Sequence, residues 1–405
     1  MRRRSFLQAA LATAAAGFTV PPVHATSGRQ ARGYIRTNWS RDPYSLGSYS
    51  FVAKTAQRKH HRMLAEPVAG RVFFAGEATH PKYNSTVHAA YESGLFAARD
   101  LRKTQARRVL VIGAGISGLA AAGDLMRAGL DVTVLEARDR IGGRIWTDRR
   151  LGTPLDLGAS WIHGTRRNPI AQIARNLQIG TVETGGDYIL RGADGRRMTG
   201  QEEPGWLEEV SEIQQGLGAA SAELNIEAYW DNDGYGGSEV VFPEGYVQIL
   251  QGFTPNLDVQ LGRVISRISQ GSEGVVLEDN KGGSERADAV IVTVPLGVLK
   301  AGSIQFSPAL PQEKLDAIAR LGMGLLDKLY LKFDRVFWDA DVTWILTPET
   351  GLPIGQFNQW LNMAPLSGAP ILLGFNGAQP ARDLAGLSDA ELVQRALKVL
   401  SAAYP

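Results

Sequence analysis

The chain of 405 residues carries 43 basic and 41 acidic side chains, 44% hydrophobic residues and no cysteine. That length allows two or three domains with a sizeable core, and the composition is that of a water-soluble globular protein. The absence of cysteine excludes disulfides, thiolate metal sites and a cysteinyl cofactor link, and six scattered histidines offer no metal-ligand spacing, so no metal is expected.

The chain begins with a basic head, "MRRRSF", an apolar stretch, "LQAALATAAAGFTV", and a small-residue cleavage pattern, "VHA", ending at Ala25. Residues 1–25 therefore read as an export leader of the twin-arginine type, which places the protein in a bacterial periplasm. Removing Arg2, Arg3 and Arg4 leaves 40 basic residues against 41 acidic, a net charge of −1, so nothing points to nucleic acid. Beyond the leader there is no apolar run of the roughly 18 residues that a membrane span needs. Residues 26–36 read as a loose segment and 37–68 as a bridging one.

"RVFFAGEATH", residues 71–80, reads as a buried strand running into Gly76-Glu77, in the manner of the last strand of a nucleotide-binding sheet. A helix is predicted from about Ser85, its cap, to Thr104, with Val87, Tyr91, Gly94, Leu95 and Ala98 on one face. A short loop then leads to "RVLVIGAGISGLAAAGDL", which begins at Arg108.

Here strand, glycines, helix, strand and acid follow one another. Gly113 makes a tight turn, Gly115 lets backbone approach a pyrophosphate, Gly118 packs helix on strand, and Glu136 closes the second strand, where it can accept both ribose hydroxyls. An acid at that place argues against a 2′-phosphate; NAD and FAD stay open. The next segment, "ARDRIGGRIWT", returns a second glycine pair and Arg144, which suits a ligand longer than NAD. No second glycine fingerprint occurs, so a bound flavin would take its electrons from the substrate itself.

"VIGAGISGLAAA", "LEARDRIGGRIWT", "DLGASWIHG", "ADAVIVTVPLGVLK", "KLYLKFDRVFW", "NWSRDPYSLGSYS" and "FFAGEATHPKYNSTVHAAYESGLFAA" together resemble the flavin-dependent amine oxidases, the family of monoamine oxidase, polyamine oxidase and the lysine-specific histone demethylase. The resemblance runs from about Thr37 to Pro405. Its order differs: the last two segments close the chain in relatives and here come first, so the chain looks circularly permuted. The resemblance implies an α/β fold, with a Rossmann-like FAD-binding domain interleaved with an α+β substrate domain. Residues 69–168 and 238–302 would form the FAD-binding lobe, and 169–237 and 303–405 the substrate lobe.

It further implies non-covalent FAD held by Gly76, Glu77, Thr86, Val87, Gly113, Gly115, Gly118, Glu136, Arg138, Gly143, Arg144 and Val264, with Ser48 where monoamine oxidases carry a flavin-linked cysteine. Lys328 would hold a water against flavin N5, although Lys332 shares its face of an alternating strand. Tyr49 would be one wall of an aromatic cage and Thr86 would replace the other, with Trp161 in the cavity. Asp231 and Asp233 either draw a second ammonium or form a polar turn at Gly234. The expected reaction is oxidation of a small amine by hydride transfer to FAD, imine hydrolysis and return of the electrons to O2 as H2O2. An L-amino-acid oxidase needs a cavity arginine that the sequence does not place. An exported flavoprotein that binds a ligand or passes electrons is the third reading. The sequence sets no oligomeric state.

Overall fold

The computed structural model describes residues 23–24, 30–230 and 234–405. The leader at 1–25 lies outside them apart from the backbone of Val23 and His24, and so do Asp231 and Asp233.

The first core is a five-stranded parallel sheet in the order Asp258–Gln260, Asp131–Leu135, Arg108–Ile112, Ala289–Val292, Val72–Phe74. The early "VFF" strand thus joins the sheet of the glycine fingerprint, with Ala289–Val292 between the two. A parallel sheet is covered on both faces, which is why these strands are nearly continuous apolar runs. The two-residue period divides them: Phe73, Val109, Val111, Val134 and Ile291 face helices Val87–Leu101 and Ile116–Arg127. Val72, Phe74, Leu110, Ile112, Val290 and Val292 face the opposite core, which includes Leu64, Ala317 and Ile318.

The two helices pack closely because Gly94 lies against the Ser117 backbone; a Cβ there would stand 2.1 Å from the Ser117 carbonyl oxygen. Gly94→Ala should therefore push the helices apart and lower the unfolding free energy by roughly 1–3 kcal/mol, read from urea denaturation.

Helix Val87–Leu101 is shorter at both ends than its sequence pattern, and Ser85 is not its cap. Thr86 takes that place, its hydroxyl accepting from the Ala89 N–H at 3.1 Å. Ser85 is held one residue outside, with φ 73°, because its N–H goes to the Glu77 carboxylate and its hydroxyl to the Ser50 carbonyl. Of the predicted face, Gly94 and Ala98 are buried, while Val87 and Tyr91 are partly buried against the same core.

A seven-stranded mixed sheet forms the other main body, in the order Arg197–Met198, Tyr188–Arg191, Trp344–Leu346, Gln359–Asn362, Ile371–Gly377, Leu326–Lys332, Gly33–Arg36. Residues 26–36 were expected to be loose, but Gly33–Arg36 is an edge strand of this sheet, paired with Leu329–Lys332, and Ile35 is buried in its core. Helix Asp389–Ala403, capped by Ser388 and Glu391, covers one face through Leu392, Ala396 and Leu400. Leu326–Lys332 does not show the expected alternation of burial: residues 327 to 331 are all buried, because the strand is paired on both edges and covered on both faces. Tyr49–Phe51 pairs with Gly322–Gly324. Among the described residues no helix is long and apolar enough to cross a membrane.

Candidate active site

One cavity of about 1170 Å³ runs from the C-terminal ends of the parallel strands to the inner face of the seven-stranded sheet. Its first half is a nucleotide cradle. Gly113 turns with φ 103°, and Gly118 lies so close to it that a Cβ would stand 2.0 Å from the Gly113 carbonyl oxygen. At Gly115 a Cβ would meet no protein atom within 4 Å, and no side chain caps the helix that starts there, so its first-turn N–H groups are available to an anion. Gly143 lies across from Gly115, its φ 58° belonging to the turn that brings the second glycine pair back.

Glu136 is buried at the cavity wall, one carboxylate oxygen taking the Ala114 N–H at 2.6 Å and the other the Arg138 N–H at 2.8 Å. Arg138 and Val264 line the same end, Arg138 clamped in a bidentate pair with Asp42 at 2.8 and 2.9 Å. Arg144, expected among the cofactor-holding residues, lines the cavity and is tied to the early segment: its Nη1 donates to Glu77 at 2.9 Å and to the Ser48 carbonyl at 2.8 Å. The Glu77 carboxylate also accepts from the Ser50 hydroxyl at 2.6 Å and the Ser85 N–H at 2.9 Å. Burial works to raise its pKa, but Arg144, Ser50 and Ser85 together hold it below the ordinary glutamate value. Gly76, with φ 124°, lines the cavity just before it, and Val87 lies beyond the Thr86 cap.

The second half is set by strand register. Lys328 pairs with Phe375, Phe375 with Gln359, and Gln359 with Leu346, so these four form one row across the cavity face of the sheet, and all four line the cavity. Lys332, two pleats along, donates to the Leu151 carbonyl at 2.8 Å and does not reach the cavity. The Lys328 ammonium is buried and donates to the carbonyls of Asp156 at 2.8 Å and Gly158 at 2.7 Å and to the Ser160 hydroxyl at 2.6 Å. Burial lowers its pKa and Asp156 partly opposes this; burial likewise raises Asp156.

Tyr49 lines the cavity with its hydroxyl fixed to the Gln215 carbonyl at 2.7 Å, and burial raises its pKa, so it serves as a neutral aromatic wall. Thr86 also lines it, its hydroxyl committed to the helix cap and to the Tyr83 carbonyl at 2.7 Å. Trp161 stacks on Trp344 at 6.1 Å, both beside Phe375. Sequence reasoning missed Trp344, Phe375 and Gln359. It also missed the helix around the π-helical stretch Glu209–Gln214, which presents Glu208, Glu212 and Gln215 to the cavity. Glu203 and Glu239 line the same end; although burial would raise Glu239, His163 and the Gly164 N–H hold it below the ordinary value.

An open glycine at an uncapped helix start, a buried acid one strand away and a cavity that continues past both to Lys328 fit a dinucleotide that carries a second ring system into the far half. Comparison with known proteins agrees with that shape. The family model for flavin containing amine oxidoreductase matches residues 11–102, 116–201 and 189–405, and a pyridine nucleotide-disulphide oxidoreductase model matches 71–152. "Probable polyamine oxidase 4" of Arabidopsis thaliana is 34% identical over 358 residues, 73% of this chain and 71% of that protein. "Polyamine oxidase 2" of the same plant is 31% identical, covering 76% of this chain and 75% of that one. "Lysine-specific histone demethylase 1 homolog 3" of Oryza sativa subsp. indica is 30% identical over 74% of this chain and 44% of that protein. Among solved structures, cyclohexylamine oxidase from Brevibacterium oxydans IH-35A shares the fold with a TM-score of 0.58 and 23% identity, over 74% of this chain and 82% of that chain.

Proposed function

The chain belongs to the flavin containing amine oxidoreductases and is an FAD-dependent enzyme, and from that premise we propose that it oxidises a di- or polyamine whose reacting carbon lies between Tyr49 and the Lys328 row. The observation that carries this reading is the charge of the substrate end. Glu203, Glu208, Glu212 and Glu239 line it, with Glu208 and Glu212 exposed at the mouth, where a second ammonium of the same molecule would lie.

The chain's own parts divide the work as follows. Gly113, Gly115, Gly118, Gly143 and the helix start at Ile116 would hold the pyrophosphate of non-covalent FAD, Glu136 its ribose, and Gly76 and Val87 the flavin end, with Val264 beside the adenine. When bound, FAD supplies a two-electron acceptor for the hydride of the amine α-carbon and passes the pair to dioxygen, giving hydrogen peroxide. Tyr49, Trp161, Trp344 and Phe375 give the amine an apolar, water-poor seat that favours its neutral form. Lys328 acts at the reacting end, and the imine product is hydrolysed by water. An L-amino-acid oxidase is disfavoured, because the arginines lining the cavity are Arg138, Arg144 and Arg263, each bound to an acid at the cofactor end.

Circular permutation belongs to the same proposal. It is supported by the entry of Val72–Phe74 into the fingerprint sheet, by the short link 102–107 into Arg108, and by the contact of Asp389, at the start of the last helix, with Tyr34 and Arg36. Export by the leader at 1–25 rests on its sequence alone.

Anaerobic mixing of the FAD-loaded protein with putrescine, spermidine, tyramine and L-amino acids, following flavin bleaching, tests the reading; bleaching by L-amino acids alone would overturn it. The double change Glu208→Gln with Glu212→Gln should raise KM for spermidine about five-fold, as expected for exposed charge pairs, leave tyramine nearly unchanged, and lose this difference at high salt.

A further inference from the structure

The three partners of Lys328 are not equivalent. A lysine ammonium has three hydrogens to donate, and here they go to two main-chain carbonyls, of Asp156 and Gly158, and to the hydroxyl of Ser160. When the lysine is neutral it has two hydrogens and one lone pair. The carbonyls can only accept, so they keep the two hydrogens, and the lone pair needs a donor. Ser160 is the one partner that can reverse its role, accepting from the charged form and donating to the neutral one. Its own hydrogen is not committed to one strong bond: it is shared between the same two carbonyls, both at 3.3 Å, long for a hydroxyl bond and both already taken by Lys328, and the Tyr330 hydroxyl beside it. Ser160 also lines the main cavity, where the amine lies, and a second small chamber walled by Asp156 and Tyr330.

Resting on the reading that an amine is oxidised in this cavity, we propose that Ser160 is the proton-exchange link of Lys328, through which the lysine takes the proton of the incoming substrate ammonium. The step balances without a further reactant. An N–H bond of the substrate ammonium breaks and its proton goes to Ser160 Oγ, while the former Ser160 hydroxyl proton goes to the lone pair of Lys328 Nζ. The products are a neutral amine, able to give up a hydride, and a charged lysine with its three acceptors in place. The groups around the pair are few. Asp156 supports the charged lysine through space, Arg149 acts on Asp156, and Tyr330 donates to the Asp156 carbonyl at 2.8 Å. The Tyr246 N–H and the Thr147 hydroxyl hold the Asp156 carboxylate, and Asp327 on the same strand is turned away toward Thr37 and the Trp39 N–H.

The test uses the FAD-loaded full-length protein, with two readouts. One is the pH dependence of flavin bleaching by the amine that reduces the wild type. The other is calorimetry of tert-butylamine binding in buffers of different ionisation enthalpy; this amine has no α-hydrogen and cannot be oxidised, so the heat reports protons exchanged on binding alone. Ser160→Ala removes an acceptor of the charged form and should move the midpoint of both profiles down by about one pH unit and slow bleaching at least ten-fold below that midpoint. Ser160→Thr should restore both, and Lys328→Met should abolish the calorimetric midpoint. An unchanged midpoint in Ser160→Ala, or a shift that Ser160→Thr does not restore, would overturn the proposal while leaving amine oxidation intact. A wild-type protein bleached by no amine would overturn both.

Discussion

Lys328→Met lowers the rate of flavin bleaching by an amine, or of reoxidation by O2, by about 10²-fold or more, while FAD remains bound. Two structural facts separate these effects. Lys328 lies in the row with Phe375 and Gln359 at the far half of the cavity, whereas the groups suited to phosphate and ribose, the helix start at Gly115 and Glu136, belong to the other half. The substitution also removes a donor shared by three acceptors, so FAD stoichiometry and circular dichroism should accompany the stopped-flow traces. Rates equal to wild type in both half-reactions would remove Lys328 from the chemistry.

Glu77→Gln should cost about 3–5 kcal/mol of stability at neutral pH, because it leaves Arg144 facing a neutral group where a buried carboxylate now joins four donors from three parts of the chain. FAD should be retained poorly, since Gly76 and Arg144, both at the cavity wall, are positioned by this carboxylate. The sign of the pH effect follows from the direction of the shift. Glu77 has a folded pKa below its ordinary value of 4.5, so its contribution is fully present above that value and is lost as the pH falls through the folded pKa. Urea midpoints of wild type and variant should therefore differ at pH 7 and converge in acid. A constant difference across that range would show that the carboxylate charge is not what stabilises the corner.

The legible parts of the molecule were those in which local backbone needs dictate the residue. Gly113, Gly115 and Gly118 each answer a different steric demand within one turn, so they stand out in the string: Gly113 has a positive φ, Gly118 lies against the Gly113 carbonyl and Gly115 faces open space. Glu136 is found by counting along a strand. The parts that were not legible depend on what lies opposite. Phe375, Gln359 and Leu346 reach the cavity only through cross-strand register, and nothing in "ILLGFNG" or "QWLN" marks which residue faces Lys328. Alternation could not separate Lys328 from Lys332, because a strand paired on both edges is buried along its length. Ser85 and Thr86 are both good caps by type; the choice fell to Thr86 because the Glu77 carboxylate captures the Ser85 N–H from outside the helix. Glu208 and Glu212 share the cavity wall through a helix with a π-helical turn, a geometry with no composition signature.

The position of Ala289–Val292 between Val72–Phe74 and Arg108–Ile112 has a consequence for how the molecule is made. On a ribosome the helix pair Val87–Leu101 and Ile116–Arg127 can close early, as neighbours in the chain. Strand Val72–Phe74, which leads into the Gly76-Glu77 corner, by contrast, has no neighbour in its sheet until residue 292 has emerged. Capture of the nucleotide is thus a late event of synthesis, and a nascent chain halted before that point would expose a sheet with a missing rung.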